Sequence, residues 1–402
     1  LRPFASTISL DEARRRLDAA VRPIARTECV GIANAVGRVA AAHVASPIDV
    51  PPFARSAMDG YAVIAADTAR ASRSAPARLG VIARIYTGQP SAAIVTSGSC
   101  AEIATGAPMP AGADAVVMVE ETATDADGPI QIFAVATPGQ NVGRQAADIA
   151  AGERFLSTGD VLSPSRVGAL AAVGHADVEV FARPRVAILS TGNEIVEPGH
   201  DLLPGQIFDV NRFTLGAVVS AHGGIAAPHT PANDTVDALV AALDNCAGAD
   251  LIVFSGGSSV GERDLVVDAI AARGEMIFHG IAVRPGKPTA FALINGTPFF
   301  GMPGNPTSCL SNAYILLVPF LRTLARLPPY APHVLRVPLG RRIVSAANRH
   351  QFYTVRVREG AAWPAFKGSG DITSLSQADG YIQIPSDQST VEEGALVDVT
   401  LF

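Results

Sequence analysis

The stretch from about residue 185 to residue 328 does most to limit what this chain can become. Val186–Leu189 and Leu251–Phe254 are short, uninterrupted apolar runs, the pattern of strands buried on both faces. Asp209–His222, Asp234–Cys246 and Leu265–Arg273 read as helices between and after them, and Pro306 opens a longer helix running towards Leu327. Ala290–Ile294 and Pro298–Phe300 flank Asn295-Gly296, a strong hairpin signal. Strands alternating with helices predict a doubly wound α/β domain. In such a sheet, ligands bind beyond the carboxyl ends of the strands, so chemistry is expected where those runs end.

The flanking regions have other textures. Ser9 and Glu12 form a capping-box pattern ahead of an arginine-rich helix. Ala33–Ala45, rich in Ala and Val, predicts a short helix ended by Pro47. Residues 51–147 carry Gly, Pro and short apolar runs such as Ala115–Val119, as a β-rich domain does. Beyond Pro328-Pro329, His333–Val337 and Tyr353–Val357 suggest a small C-terminal β-barrel. The expected organisation is therefore multidomain, α/β plus β. Residues 1–26 with 180–328 form the α/β domain, 27–46 with 145–179 a small connecting domain, 47–144 the β-rich domain, and 329–402 the barrel.

Composition narrows the function classes. With 402 residues, 48% hydrophobic and 17% charged, the chain is long and apolar enough for several buried cores. A net charge of −6 gives no footprint for nucleic acid. Cys29, Cys100, Cys246 and Cys309 are scattered, without the spacing of a zinc site or a disulfide framework. No signal sequence or membrane span is evident, so the expectation is a cytoplasmic protein. Lysine occurs only at Lys287 and Lys367, which makes its place in a motif conspicuous.

Several segments carry chemistry. Pro52–Ala62 (PFARSAMDGYA) turns at Asp59-Gly60, either a plain hairpin turn or a carboxylate facing a cleft. Glu102–Pro110 (EIATGAPMP) offers the hydroxyl of Thr105. Ser190–Glu194 (STGNE) follows a predicted strand; Thr191 can donate to an anion and Glu194 can hold a cation, with helix capping by Asn193 as the plain alternative. Asp250–Asp264 (DLIVFSGGSSVGERD) runs from strand through a Gly/Ser loop into a helix, a context that favours phosphate-like anions. Gly257–Gly261 also fits a serine-hydrolase elbow at Ser259, yet His279, His333 and His350 sit in no matching loop motif. Val283–Thr289 (VRPGKPT) sets Arg284 and Lys287 on a rigid turn, and Ser308 of Gly301–Ser308 (GMPGNPTS) stands at a helix start. Asp59, Asp148, Glu194, Asp234 and Asp264 supply carboxylates. Carboxylates sharing a cleft repel unless a hard divalent cation neutralises them, and an all-oxygen set favours magnesium over zinc.

These motifs, in this order over nearly the whole chain, resemble those of the molybdopterin molybdotransferases, the MoeA and gephyrin E-domain family. The resemblance implies a four-domain homodimer that binds adenylated molybdopterin, places molybdate at the dithiolene and releases AMP, with magnesium present. It implies an adenylating enzyme upstream and molybdoenzymes or their chaperones downstream, and no nucleic acid or membrane partner. Motif by motif, it assigns catalytic parts to Asp59, Thr105, Asp148, Glu194 and Asp264. Glu194, Asp234 and Asp264 would hold magnesium or the nucleotide phosphate. Ser190, Thr191, Gly192, Ser255, Gly256, Gly257 and Ser258 would bind the pterin ligand. Arg284, Lys287 and Ser308, with Arg349 and Ser374 from the barrel, would form the oxyanion pocket, and Pro303 and Pro306 would join the cofactor-binding set.

The chain departs from the family pattern in places. Gly139–Ile149 (GQNVGRQAADI) has Gly143 where an arginine is usual, and Ala146 and Ala147 replace a glycine and a glutamate. Ala54 stands where an aspartate is common, and Arg284 replaces a lysine, keeping charge but changing hydrogen-bond geometry. These changes leave open a paralogue specialised for tungstate or for a modified pterin, and the resemblance to gephyrin leaves a non-catalytic scaffold as the rival reading.

Overall fold

Six strands build the sheet that carries the site: β1 (Arg185–Ser190), β2 (Ile225–Pro228), β3 (Leu251–Ser255), β4 (Gly274–His279), β5 (Ala290–Ile294) and β6 (Thr297–Met302). Their spatial order is β2-β1-β3-β6-β5-β4. The pairs β1/β2, β1/β3 and β3/β6 are parallel, whereas β6/β5 and β5/β4 are antiparallel. The parallel part is the predicted doubly wound sheet. The antiparallel edge follows from the Asn295-Gly296 turn, where both residues take positive φ. β1 and β3 are buried almost throughout, which is why they read as unbroken apolar runs.

The computed structural model describes residues 7–124, 128–230, 235–256, 265–345 and 348–402. The chain divides into two units, Leu1–Glu28 with Phe181–Phe402, and Cys29–Val180.

In the first unit, helices cover both faces of the sheet. One core gathers Leu10, Leu17, Ile188, Leu215, Val253, Phe291, Phe300 and Leu321; the other gathers Leu189, Leu239, Phe254, Ile270 and Phe299. The N-terminal helix Leu10–Ala20 contributes its Leu10/Ala13/Leu17 stripe to the first. Ser9 accepts the N–H of Glu12 at 3.2 Å, but only half of the capping box forms, because the Glu12 carboxylate turns to Arg16 at 2.7 Å. The predicted helix after Pro306 is interrupted: α-turns over Pro306–Asn312 give way to a π-turn at Ala313–Leu317 before Val318–Leu324. Pro319 has no N–H for the carbonyl of Ile315, and the helix widens just ahead of it.

The same unit ends in a β-domain. His350–Arg358 pairs with Gly380–Ile384 and with Ala361–Pro364, and Gly380–Ile384 pairs with Leu396–Leu401, which in turn pairs with Val334–Pro338. A bridge from Leu339 to Ala362 joins the two ends of that path and nearly closes it into a barrel. Val283–Arg284 adds to it in parallel beside His350–Gln351, so the Pro-Gly turn of the α/β part is stitched to the barrel.

The second unit is mostly β. Gly60–Val63, Ala77–Ile85, Ser99–Ile103 and Ala115–Met118 belong to a six-stranded sheet whose core includes Tyr61, Leu79, Ile103, Val116 and Ile130. A separate cluster joins Ala35 and Ala40 to Leu156, Leu162, Leu170 and Val178. Here one expectation fails. Ala33–Ala45 is not a helix but a turn of 3-10 helix at Ile32–Asn34, followed by bridges from Val39 to Val161 and Ala40 to Val180. Gly37 breaks any helix with φ of 77°, and tertiary pairing outweighs the alanine propensity.

Candidate functional site

The parallel strands β1, β3 and β6 deliver Thr191, Gly256 and Pro303, the residues just past their carboxyl ends, into the wall of one cavity of about 1540 Å³. This is where an open α/β sheet places a ligand. Ser190 and Ser255, which close β1 and β3, are partners in register, and both line it. Gly256 takes φ of 118°, and a Cβ there would come within 2.5 Å of the Thr191 carbonyl. Only glycine lets the two loops close up at this point.

The opposite wall is basic. Arg284 ends the short strand Val283–Arg284 and Lys287 lies in the turn after it, Arg349 directly precedes the long barrel strand, and Lys367 comes from the loop 366–370. The turn is held from behind by Asn312. That fully buried amide donates to Gly286 O at 2.8 Å and to Thr289 Oγ1. Gly286, at φ of 103°, fits against it because a Cβ would sit 2.2 Å from the Asn312 nitrogen. The barrel loop is tied down as well: Thr307 N–H donates to Ser369 O at 3.1 Å, and Thr307 Oγ1 donates to Asp371 O at 2.6 Å. Lys367 Nζ donates to Thr373 Oγ1 at 3.0 Å.

The expected binding residues Ser190, Thr191, Gly192, Ser255 and Gly256 therefore meet Arg284, Lys287, Pro303, Pro306, Ser308 and Arg349 around one space, with Glu194 at its exposed rim. Ser374 has a different place. It is wholly buried, and its Oγ accepts the Lys367 N–H at 2.9 Å, so it shapes the loop carrying Lys367 and is not among the lining residues. Asp234, Gly257, Ser258, Asp264 and the elbow serine Ser259 lie outside the described residues.

Sequence reasoning passed over Asp209 and Asn211, which also line the cavity. Asp209 is 3% exposed and accepts from Ser190 Oγ at 2.7 Å and from the Arg212 N–H at 3.0 Å. Asn211 Nδ2 donates to Ser255 Oγ and to Gly304 O, each at 2.7 Å. The available signal was an aspartate three residues ahead of Arg212 at a helix start, which reads as a cap and says nothing of distant serines.

Cys309 lies beneath this floor, its Sγ 3.9 Å from Ser255 Oγ; burial pushes its thiol up to about 12. A thiol so raised is a space-filling group and not a nucleophile.

The second unit holds Asp59, Thr105 and Asp148. The Asp59 carboxylate accepts the Thr105 N–H at 2.7 Å, so these two expected residues are neighbours on exposed loops. Asp148 is exposed in the altered stretch and joined to neither by a hydrogen bond among the described residues. At Gly143, an added Cβ would lie 3.3 Å from Arg55 Cγ, so the Arg55 stem covers the ground where an arginine side chain would begin.

Among the described residues, no group of three or more His, Cys, Asp or Glu side chains forms a metal site. No helix among them is long and apolar enough to cross a membrane.

Comparison with known proteins gives a consistent picture. Residues 8–174 match the model of the MoeA N-terminal region (domains I and II), 187–323 that of a probable molybdopterin binding domain, and 336–402 that of the MoeA C-terminal region (domain IV). The chain is 36% identical to molybdopterin molybdenumtransferase 2 of Mycobacterium tuberculosis, over 94% of this chain and 95% of that one. It is 31% identical to the molybdopterin molybdenumtransferase of Haemophilus influenzae, over 98% of each. Two crystal structures of molybdopterin biosynthesis MoeA proteins from Pyrococcus horikoshii superpose on it. One has a TM-score of 0.86 at 39% identity, covering 98% of this chain and 99% of that one; the other has 0.82 at 29%, covering 99% and 100%.

Proposed function

The chain belongs to the MoeA family, and on that premise we propose that it is a molybdopterin molybdotransferase whose chemistry takes place in the cavity at the end of its parallel sheet. The reaction places molybdate at the dithiolene of adenylated molybdopterin and releases AMP. One observation carries the assignment of the site: every lysine in the chain, Lys287 and Lys367, lines the cavity together with Arg284 and Arg349. Four cations around one space suit a substrate that brings phosphates and an oxyanion.

Geometry and family motif together support the roles. Arg284 and Lys287, on a turn locked to Asn312, hold the oxyanion; the Arg284 guanidinium offers paired donors where a lysine offers a point charge. Ser190, Thr191, Ser255 and Gly256, at the strand ends, hold the pterin and its phosphate. Asp59, whose carboxylate accepts the Thr105 N–H, and Thr105 itself are given a part in the transfer by the family motif.

Glu194 is an oxygen donor at the cavity rim, and Asp234 and Asp264 are assigned with it as magnesium ligands. Magnesium is commonly held by one or two carboxylates plus substrate phosphate oxygens, so Glu194, exposed at the rim while the other described lining carboxylate, Asp209, is engaged by Ser190 and Arg212, fits that ion. When bound, it would neutralise charge on the phosphoanhydride of the substrate. The functional form is assigned as a homodimer, supplied by an enzyme that adenylates molybdopterin and serving enzymes that use the finished cofactor.

The test is direct. Purified protein, adenylated molybdopterin, molybdate and magnesium should release AMP and yield a cofactor that activates an apo-molybdoenzyme. No AMP and no activation, beside a working family member, would sink the proposal. Substituting tungstate for molybdate in the same mixture decides the oxyanion preference.

A further inference from the structure

Two serines stand side by side on the cavity floor and are wired in opposite senses. Ser190 and Ser255 end adjacent parallel strands in register, so their Cα atoms are about 4.8 Å apart across the sheet. Ser190 Oγ donates its proton to Asp209 Oδ2 at 2.7 Å. A carboxylate has no proton to return, and this one also receives the Arg212 N–H at 3.0 Å and lies 3.6 Å from Arg212 Nε. Ser190 therefore has its donor committed and its lone pairs left over. Ser255 is the reverse case. Its Oγ accepts from Asn211 Nδ2 at 2.7 Å, so its own proton is left to donate. Among the described residues, the other polar atom near it is Cys309 Sγ, at 3.9 Å. Both serines are at least 97% buried, so the polarity of each is set by protein partners and not by bulk water.

We propose that Asp209 is a positioning residue that fixes Ser190 as a hydrogen-bond acceptor for a ring N–H of the pterin, while Asn211 keeps the neighbouring Ser255 a donor. The inference rests on the transferase reading above and goes beyond it by naming what selects the ring. The lactam of a pterin sets a ring N–H donor directly beside a carbonyl acceptor. A fixed acceptor beside a fixed donor matches one orientation of that edge and opposes the flipped one, where donor would meet donor. A site built to pair a buried group also rejects rings that lack the matching N–H, because the serine would be left unpaired.

The test measures equilibrium binding of molybdopterin without its nucleotide, and separately of AMP, to the full chain. Ser190→Ala, which leaves the Asp209–Arg212 contacts in place, should weaken molybdopterin binding about tenfold and leave AMP binding within about twofold. Asp209→Asn should weaken molybdopterin binding to a similar degree, because its amide can donate to Ser190 Oγ and reverse the polarity. The double variant should bind no more weakly than Ser190→Ala alone, since Asp209 acts through that hydroxyl. Ser190→Ala binding molybdopterin like the wild type overturns the inference, and so do losses that multiply in the double variant. Should Asp209→Asn fail to fold, Ser190→Ala still decides. A wild type that does not bind molybdopterin at all overturns the functional reading itself, a result distinct from a wild type that binds and a Ser190→Ala variant that binds equally well.

Discussion

Ala146 stands at φ of 57°, in the left-handed region, where an L side chain crowds its own carbonyl. The position is one where related motifs carry glycine, and its N–H is used, donating to Pro51 O at 3.1 Å. The turn is therefore imposed by its surroundings and not by the residue. Ala146→Gly should relieve the strain and, after the greater unfolded-chain entropy of glycine, stabilise the protein by about 0.5–1 kcal/mol. Denaturant unfolding of the two proteins side by side checks this; an unchanged or lower midpoint would show that Ala146 is not strained. At the same scale, the sequence could be read for Arg284, Lys287 and Glu194, whose charge is informative wherever they sit. It could not be read for Asp209 and Asn211. Their partners lie 19 and 44 residues away, and nothing in local spacing reports a hydrogen bond of that span.

Elements were legible where burial is two-sided and opaque where pairing is distant. β1 and β3 announce themselves because both faces are covered, whereas Ala33–Ala45 misleads because its alanines pack against Leu156 and Leu170 instead of forming turns of helix. The helix after Pro306 shows a third case: its path was evident, but its π-turn was not. That helix presents Asn312 to the cationic turn, and the turn depends on it. Asn312→Leu would strip the turn of the two hydrogen bonds that the amide donates to Gly286 O and Thr289 Oγ1. The expected cost is about 2 kcal/mol of stability. With the turn loosened, KM for molybdate should rise severalfold while KM for the adenylated pterin changes little. Steady-state kinetics with each substrate varied in turn checks the split; equal changes in both would assign Asn312 a purely structural part.

The whole molecule has a pH response that follows from two half-buried imidazoles. Burial holds His222 below the ordinary value of 6.5, helped by the positive charge of Arg322. Burial lowers His350 too, with a hydrogen bond to Gln383 working against it and the carboxylate of Asp11 opposing the charge of Arg14. A histidine whose folded value is depressed stays neutral in the native state while the unfolded chain takes up its proton. Stability is then full above the unfolded value and falls as pH drops through it. The unfolding temperature should thus decline from about pH 7.5 to about pH 5.5, and the decline should be shallower in His222→Gln. A slope identical in wild type and variant would remove His222 from the account.

The placement of the two lysines gives the molecule one more property. Apart from the α-amino group of the chain, Lys287 and Lys367 are its only primary amines, and both line the cavity. An isothiocyanate or activated ester offered to the native protein therefore reacts, among side-chain amines, at this one place. The protein is its own reporter: reagent uptake at the lysines should fall as the nucleotide-tagged pterin binds, and peptide mass mapping would read ligand occupancy with no label engineered in. Modification at both sites that a saturating ligand leaves unchanged would mean that the ligand sits elsewhere.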